Sequence, residues 1–140
     1  RLVDGFWAPT KPTWGVDNRT VAFRHISAGA KATRMESRIP GSDVNPYLAM
    51  AATVGAGLYG IEHKLPLTDE PITGSGYHAA VERLPRSLQE ATKRLADSTI
   101  AREIFGSTFV DHFVQTREWE WRQFQDAVTD WELQRYFEII

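Results

Sequence analysis

The 140-residue sequence contains no cysteine, which excludes a disulfide framework, a thiolate metal site and a cysteine nucleophile. The glycine-rich loops that bind phosphate and the nucleophile elbow of serine hydrolases are missing as well. The four histidines lie far apart and lack the spacing of a metal site. An apolar stretch without charge, residues 46–61, is shorter than the roughly 18 residues expected of a membrane span.

The length and composition are those of one ordinary globular domain with a core of its own. No signal-peptide pattern opens the chain. Because a cysteine-free chain is compatible with a reducing compartment, we expect a cytoplasmic protein that does not bind membranes.

The small net charge of −2 hides a basic N-terminal part. Residues 1–38 contain three acidic and seven basic residues, a net charge of +4, so the remaining residues sum to −6. A basic segment predicts an anionic ligand. The basic residues are spread over turns and strands rather than run together, so a phosphorylated small molecule is favoured over nucleic acid. The basic residues are Arg1, Lys11, Arg19, Arg24, Lys31, Arg34 and Arg38.

The stretch Arg34-Met-Glu-Ser-Arg38 predicts a strand with one charged face. Alternate residues of a strand share a face, so Arg34, Glu36 and Arg38 point one way. Two guanidiniums beside one carboxylate suit an anionic ligand and leave the carboxylate for a metal ion. The alternative is a solvated sheet face with cross-strand ion pairs.

The N-terminal part predicts a hairpin that follows a loop. Residues 19–26 alternate as a strand, and the small-residue turn at 27–33 joins them to the charged strand as an antiparallel hairpin. Residues 1–17 predict a loop. Its aromatic residues Phe6, Trp7 and Trp14 either pin the loop onto the core or line a site, and the pattern favours pinning.

The rest of the chain is predicted to be helical, apart from a long loop at 64–86. Asn45-Pro46 begins a helix to residue 61 that we expect to be buried on all sides. Ser87 opens the next helix, and Gly106 separates helices at about 99–105 and 108–128. An aromatic stripe on the last helix predicts core, and the terminal aromatics predict burial in a groove of this subunit or a neighbour. The stripe consists of Phe109, Phe113, Trp121, Phe124 and Val128. The expected fold class is α+β, a hairpin followed by about four helices.

Taken in order, a series of short motifs resembles the C-terminal part of a glutamine synthetase catalytic domain over nearly the whole chain, residues 1–140. The motifs are Arg1-Leu-Val, Ala8-Pro9, Asn18-Arg19, Arg24, Lys31, Arg34-x-Glu36-x-Arg38 and Asn45-Pro46-Tyr47. The resemblance implies a fragment that lacks the N-terminal portion and most metal-binding carboxylates, and that is inactive alone. It also implies a homo-oligomeric ring with its sites between subunits.

The family reaction implied has two steps: ATP phosphorylates the γ-carboxylate of glutamate, and an amine then displaces phosphate. By resemblance, Arg1 and Arg38 hold the glutamate carboxylates, while Arg19 and Arg38 act on the transferred phosphoryl group. Glu36 ligates the Mg²⁺ or Mn²⁺ that accompanies ATP. The resemblance assigns the nucleotide contacts to Arg24, Lys31 and Arg34.

One position departs from the family pattern. Glutamine synthetases proper carry a glutamate directly before the Ala-Pro of the first loop, and this chain has Trp7 there. An indole cannot act as a base or pair with ammonium as a carboxylate does, but it offers an apolar wall and a π-face. We therefore predict that Trp7 contacts a larger organic amine. The alternative is that Trp7 packs the loop and another carboxylate meets ammonium.

Two other functions remain open. The parent protein is either an enzyme or a non-catalytic, structural relative that kept the scaffold, and the Arg34-x-Glu36-x-Arg38 face argues against the latter because unused buried charges are costly. Nucleotide binding would discriminate between them. An anion- or nucleic-acid-binding module is the third possibility, and salt-dependent binding to DNA would support it.

Overall fold

The computed structural model describes residues 2–139. Its contacts divide the chain into two compact units, residues 1–86 and 87–140. Among the described residues, the first unit contains three strands, one long helix and a 3-10 turn at Gly76–His78, and the second contains four helices. The predicted α+β class is confirmed.

The strands form one small sheet in the order β1-β2-β3. Strands β2 and β3 are antiparallel, with Arg24 opposite Glu36, so the predicted hairpin is confirmed. The turn between them closes on Gly29, whose carbonyl accepts from two backbone N–H groups and whose φ of +84° suits glycine. Strand β1 lies parallel to β2. The strands are β1 (Trp14–Val16), β2 (Phe23–Ile26) and β3 (Arg34–Ser37).

Two sequence predictions about this sheet are wrong. Strand β1 lies inside the segment predicted as loop. It was missed because three residues between turn signals are too few to show the two-residue alternation of a strand. Strand β2 begins at Phe23 rather than at residue 19. Val21 and Ala22 are both completely buried, which a half-buried strand with alternating faces would not allow.

The first loop is not pinned by aromatic side chains in the way predicted. Phe6 and Trp7 are 78% and 65% exposed, so pinning is wrong for both. Trp14 does link segments, because its Nε1 donates to the carbonyl of Asp69 at 2.8 Å. The loop enters the core instead through Pro9, which is fully buried.

Helix α1, Pro46–Glu62, begins as predicted. The Asn45 side chain accepts hydrogen bonds from the backbone N–H groups of Tyr47 and Leu48, and Pro46 takes the first turn. Burial of this helix was wrongly predicted, since none of its residues is buried. No other described helix or strand packs extensively against it. The apolar composition of α1 predicts that the helix would be stable when covered by another element, but it does not show that such an element lies within this chain.

The second unit is built on its longest helix, α4. Helices α2 and α3 pack against α4, and Gly106, at φ +81°, separates α3 from α4 as predicted. The four helices are α2 (Leu88–Ala96), α3 (Thr99–Phe105), α4 (Ser107–Asp126) and α5 (Asp130–Tyr136). None of the helices within residues 2–139 is long and apolar enough to cross a membrane.

The predicted aromatic core of this unit is wrong in its main members. The buried residues of α4 are Val110 and Val114, one helical turn apart. Phe109 is exposed and stacks beside Phe113, with their ring centroids 5.7 Å apart. Arg117 lies over the Phe113 ring at 5.2 Å, so this row is a mixed surface stripe. The terminal aromatics Trp131, Tyr136 and Phe137 are also exposed, so the groove expected for them is not found within the described chain.

Candidate active site

The charged face of β3 forms a cluster around one carboxylate. Glu36 Oε2 lies 3.3 Å from Arg24 Nη1 and 3.4 Å from Arg38 Nη1, and its Oε1 lies 3.9 Å from Arg34 Nη2. Strand alternation aligns positions 34, 36 and 38, and the register with β2 adds Arg24. The predicted common face is therefore confirmed, with three guanidiniums instead of two. We call these four residues the Glu36 cluster.

The Glu36 cluster is partly removed from water. The side chains of Arg24, Arg38 and Glu36 are 17%, 22% and 31% exposed, whereas Arg34 lies at the rim with 57%. Asp17 adds a second carboxylate, 2.9 Å from Arg24 Nη2. Three guanidiniums and two carboxylates leave one positive charge, and the guanidinium N–H groups are well suited to phosphate or carboxylate oxygens.

Arg38 joins three segments of the chain at this point. Its Nη1 faces Glu36, its Nε donates to the carbonyl of Arg19 at 3.2 Å, and its Nη2 donates to the carbonyl of Trp7 at 3.0 Å. The structure thus brings the first loop and the turn before β2 to the cluster. These contacts involve the backbone of Trp7 and Arg19, and both residues are exposed.

One of the residues predicted to bind the nucleotide, Lys31, is not brought into the cluster. Lys31 is exposed in the turn between β2 and β3, and it makes no ion pair with any residue from 2 to 139. Arg34 belongs to the cluster but also donates to the carbonyl of Ala32 at 3.1 Å. The remaining predicted residue, Arg1, lies outside the described residues.

The turn that presents Arg19 is held by the long loop at 64–86. Asn18 Nδ2 donates to the carbonyls of Ile72 and Gly74 at 3.0 and 2.8 Å. Its Oδ1 accepts from both the N–H and the hydroxyl of Thr20, an Asx-turn that closes on the side chain. Asn18 was recognised in the sequence only as part of a motif, since its partners lie more than 50 residues away.

Gly76 is a point of close approach between this loop and the turn. Its N–H donates to Thr20 Oγ1 at 2.7 Å, and a Cβ there would lie 2.6 Å from the Thr20 carbonyl oxygen. We expect Gly76→Ala to lower the free energy of unfolding by about 1–3 kcal/mol, because backbone must move. Urea denaturation would measure the change. Gly74→Ala is the matched control, with open space around its Cβ and an expected change within about 0.5 kcal/mol. Equal effects of the two substitutions would contradict the close approach.

The sequence pattern of the family described as "Glutamine synthetase, catalytic domain" matches residues 1–136. The chain belongs to the glutamine synthetase family. The resemblance drawn from the short motifs is therefore confirmed.

Individual relatives within the glutamine synthetase family agree. "Type-1 glutamine synthetase 2" of Dictyostelium discoideum is 60% identical over all of this chain and 27% of its own length. "Glutamate--isopropylamine ligase" of a Pseudomonas species is 46% identical over all of this chain and 31% of its own length. The solved structure described as "Apo GmaS without ligand" matches 94% of this chain and 31% of its own, with 27% identity and a TM-score of 0.76. The chain thus spans less than a third of the length of these relatives.

The residues described for this family member do not form a metal site by themselves. The resemblance to glutamine synthetases implied Mg²⁺ or Mn²⁺ at Glu36, and such ions take about six oxygen ligands. Within residues 2–139 no group of three or more acidic or histidine side chains is placed to hold a metal. Glu36 is a single carboxylate whose oxygens already face guanidiniums.

Proposed function

We propose that the full-length protein is an ATP-dependent ligase that joins an amine to the γ-carboxylate of glutamate through γ-glutamyl phosphate. The observation that carries this proposal is the Glu36 cluster, with its excess positive charge and the backbone of the exposed residue Trp7 bound to Arg38, in a chain of the glutamine synthetase family. Phosphoryl transfer depends mainly on positioning and charge neutralisation, which fixed guanidiniums supply.

The proposed roles follow the positions within the cluster. Arg38, held by three contacts, has a fixed guanidinium to bind the glutamate and acyl phosphate oxygens. Arg19, which is exposed and whose carbonyl accepts from Arg38, is proposed to stabilise the transferred phosphoryl group. Arg24 and the rim residue Arg34 are proposed to contact the phosphates or the adenine side of ATP. The same role is proposed for Lys31, which lies outside the cluster.

Two further parts of the proposal rest on family membership. Arg1 is proposed to bind glutamate. Glu36 is proposed as one ligand of a Mg²⁺ or Mn²⁺ site whose other ligands come from outside the described residues.

We further propose that residues 1–140 are the C-terminal portion of the catalytic domain of a cytoplasmic homo-oligomer. The exposed aromatic side chains of α5 support the oligomer, since such side chains are often covered by a partner.

The favoured amine is a larger organic one, because Trp7 is an exposed apolar surface where a carboxylate would be needed for ammonium. The name of the Pseudomonas relative, an isopropylamine ligase, supports this choice. Ammonia is the second candidate, because the relative with 60% identity is named a glutamine synthetase.

The test is release of phosphate from ATP by the full-length protein with glutamate and a panel of ammonia, methylamine, isopropylamine, putrescine and aniline. We expect release that requires glutamate, Mg²⁺ and an organic amine, and a γ-glutamyl product identified by mass. Saturation by low ammonia with no response to organic amines would establish the second candidate. ATP binding without turnover would favour a non-catalytic relative, and binding of DNA that weakens with salt would favour a nucleic-acid module.

A further inference from the structure

The loop that carries Trp7 is closed at its base by contacts away from the Glu36 cluster. The Thr10 hydroxyl donates to Asp4 Oδ1 at 2.6 Å. Arg83 donates to both oxygens of the same carboxylate, at 3.0 Å to Oδ2 and 3.4 Å to Oδ1. The hydrogen bonds from Thr10 and Arg83 hold the pKa of Asp4 below its ordinary value. The Asp4 carboxylate therefore connects two loops, and the residues in contact, Asp4 and Arg83, are 79 positions apart in the sequence.

The two ends of this loop are anchored differently. We call residues 4–10 the Trp7 loop. At its C-terminal end Thr10 is only 2% exposed, and its carbonyl accepts from the N–H of Leu84 at 2.9 Å. At its N-terminal end the loop is exposed, and the described attachment is the Asp4 carboxylate.

The backbone conformation of the Trp7 loop has to be maintained by neighbouring contacts, and those of Asp4 are among them. Gly5 has a φ of +86° and Trp7 a φ of +59°. A left-handed backbone is uncommon for a residue with a bulky side chain, so neighbouring contacts have to maintain it. The carbonyl of Trp7 is held by Arg38 Nη2. Loss of the Asp4 contacts would free one end of the loop while Arg38 still held its tip.

We propose that Asp4, Thr10 and Arg83 are positioning residues that keep the Trp7 loop, through its Trp7 carbonyl, at Arg38 of the Glu36 cluster and thereby set the selectivity for the amine. The selectivity part rests on the proposed ligase function. None of the three residues belongs to the Glu36 cluster, so the binding of ATP and glutamate is expected to change little when they are altered.

The test compares the full-length protein with its Arg83→Gln variant, using isopropylamine and ammonia as probes. An exposed ion pair between guanidinium and carboxylate contributes modestly, so we expect KM for isopropylamine to rise about 2- to 5-fold. We expect kcat and KM for glutamate to stay within about twofold, because the cluster is intact. Arg83→Lys is expected to restore part of the selectivity. Arg122→Gln, an exposed arginine on α4, is the matched control and is expected to behave as wild type.

Hydrogen exchange of the ligand-free protein gives a readout that is independent of the ligase activity. Amides of residues 5–7 are expected to exchange faster in Arg83→Gln and in Asp4→Asn than in the wild type. The double variant is expected to exchange no faster than either single variant, since both changes remove the same ion pair. Unchanged exchange in both single variants would overturn the claim that the contact between Asp4 and Arg83 holds the Trp7 loop. Faster exchange with unchanged KM for isopropylamine would overturn the link to selectivity. A wild type without ligase activity would overturn the proposed function and the selectivity that rests on it, whereas the exchange experiment would still decide whether Asp4 holds the loop.

Discussion

Replacing Glu36 by glutamine is expected to lower kcat/KM of the full-length protein by about 10²- to 10³-fold, the size of effect found when one preorganised electrostatic contact is lost from an active site. The amide has nearly the same shape but carries no charge. Arg24, Arg34 and Arg38 all lie within 4 Å of the Glu36 carboxylate, so their mutual repulsion would no longer be balanced. Initial-rate kinetics with glutamate, ATP and isopropylamine would measure the loss.

A set of variants separates this effect from general damage. Glu36→Asp keeps the charge and is expected to retain more activity than Glu36→Gln. Glu62→Gln, an exposed acid at the end of α1, is expected to leave both activity and stability unchanged. Because the cluster is partly exposed, we expect Glu36→Gln to lower the free energy of unfolding by only about 1–2 kcal/mol. Normal kinetics of Glu36→Gln would contradict a role for the cluster.

The same variants address the proposed metal ligand. If Glu36 binds Mg²⁺, the Mg²⁺ concentration for half-maximal activity is expected to rise about 10- to 100-fold in Glu36→Gln. If Glu36 only balances the guanidiniums, kcat falls while the Mg²⁺ dependence stays the same. The two outcomes differ because a lost ligand acts on metal affinity, whereas lost charge balance acts on the geometry of the arginines.

The features that sequence alone predicted well are those set by neighbours along the chain. The common face of Arg34, Glu36 and Arg38 follows from the two-residue period of a strand. The start of α1 at Asn45-Pro46 follows from the capping preference of asparagine and the fixed φ of proline. The break at Gly106 follows from a φ that glycine adopts without strain.

The features that were missed depend on partners distant in sequence. Asp4 and Arg83 carry no local signal of their contact, and neither does Asn18 with the carbonyl of Ile72. The exposure of α1 has the same cause, because a helix without charged residues is expected to be covered, but its own sequence does not show whether another element covers it. Strand β1 was missed because its pairing with β2, rather than its own three residues, defines it as a strand.

Replacing Trp7 by glutamate is expected to shift the kcat/KM ratio of ammonia to isopropylamine by about 10²-fold in favour of ammonia. The apolar surface for an alkyl group is lost, which lowers kcat/KM for isopropylamine. The loss of a contact one methylene in size lowers kcat/KM by about 10- to 200-fold. A carboxylate that can pair with ammonium takes its place. Trp7 is 65% exposed, and glutamate is not β-branched, so the left-handed backbone at this position is no more strained than before.

The substitution can therefore be interpreted without loss of fold, because exposed positions usually tolerate exchange within about 0.5 kcal/mol. Trp7→Phe keeps an aromatic wall and is expected to keep the preference for isopropylamine. Phe6→Glu places the same charge one residue earlier, at a side chain that is 78% exposed, and is expected to leave the ratio unchanged. An equal shift in Phe6→Glu and Trp7→Glu would mean that the net charge of the loop, rather than the position of Trp7 beside Arg38, selects the amine.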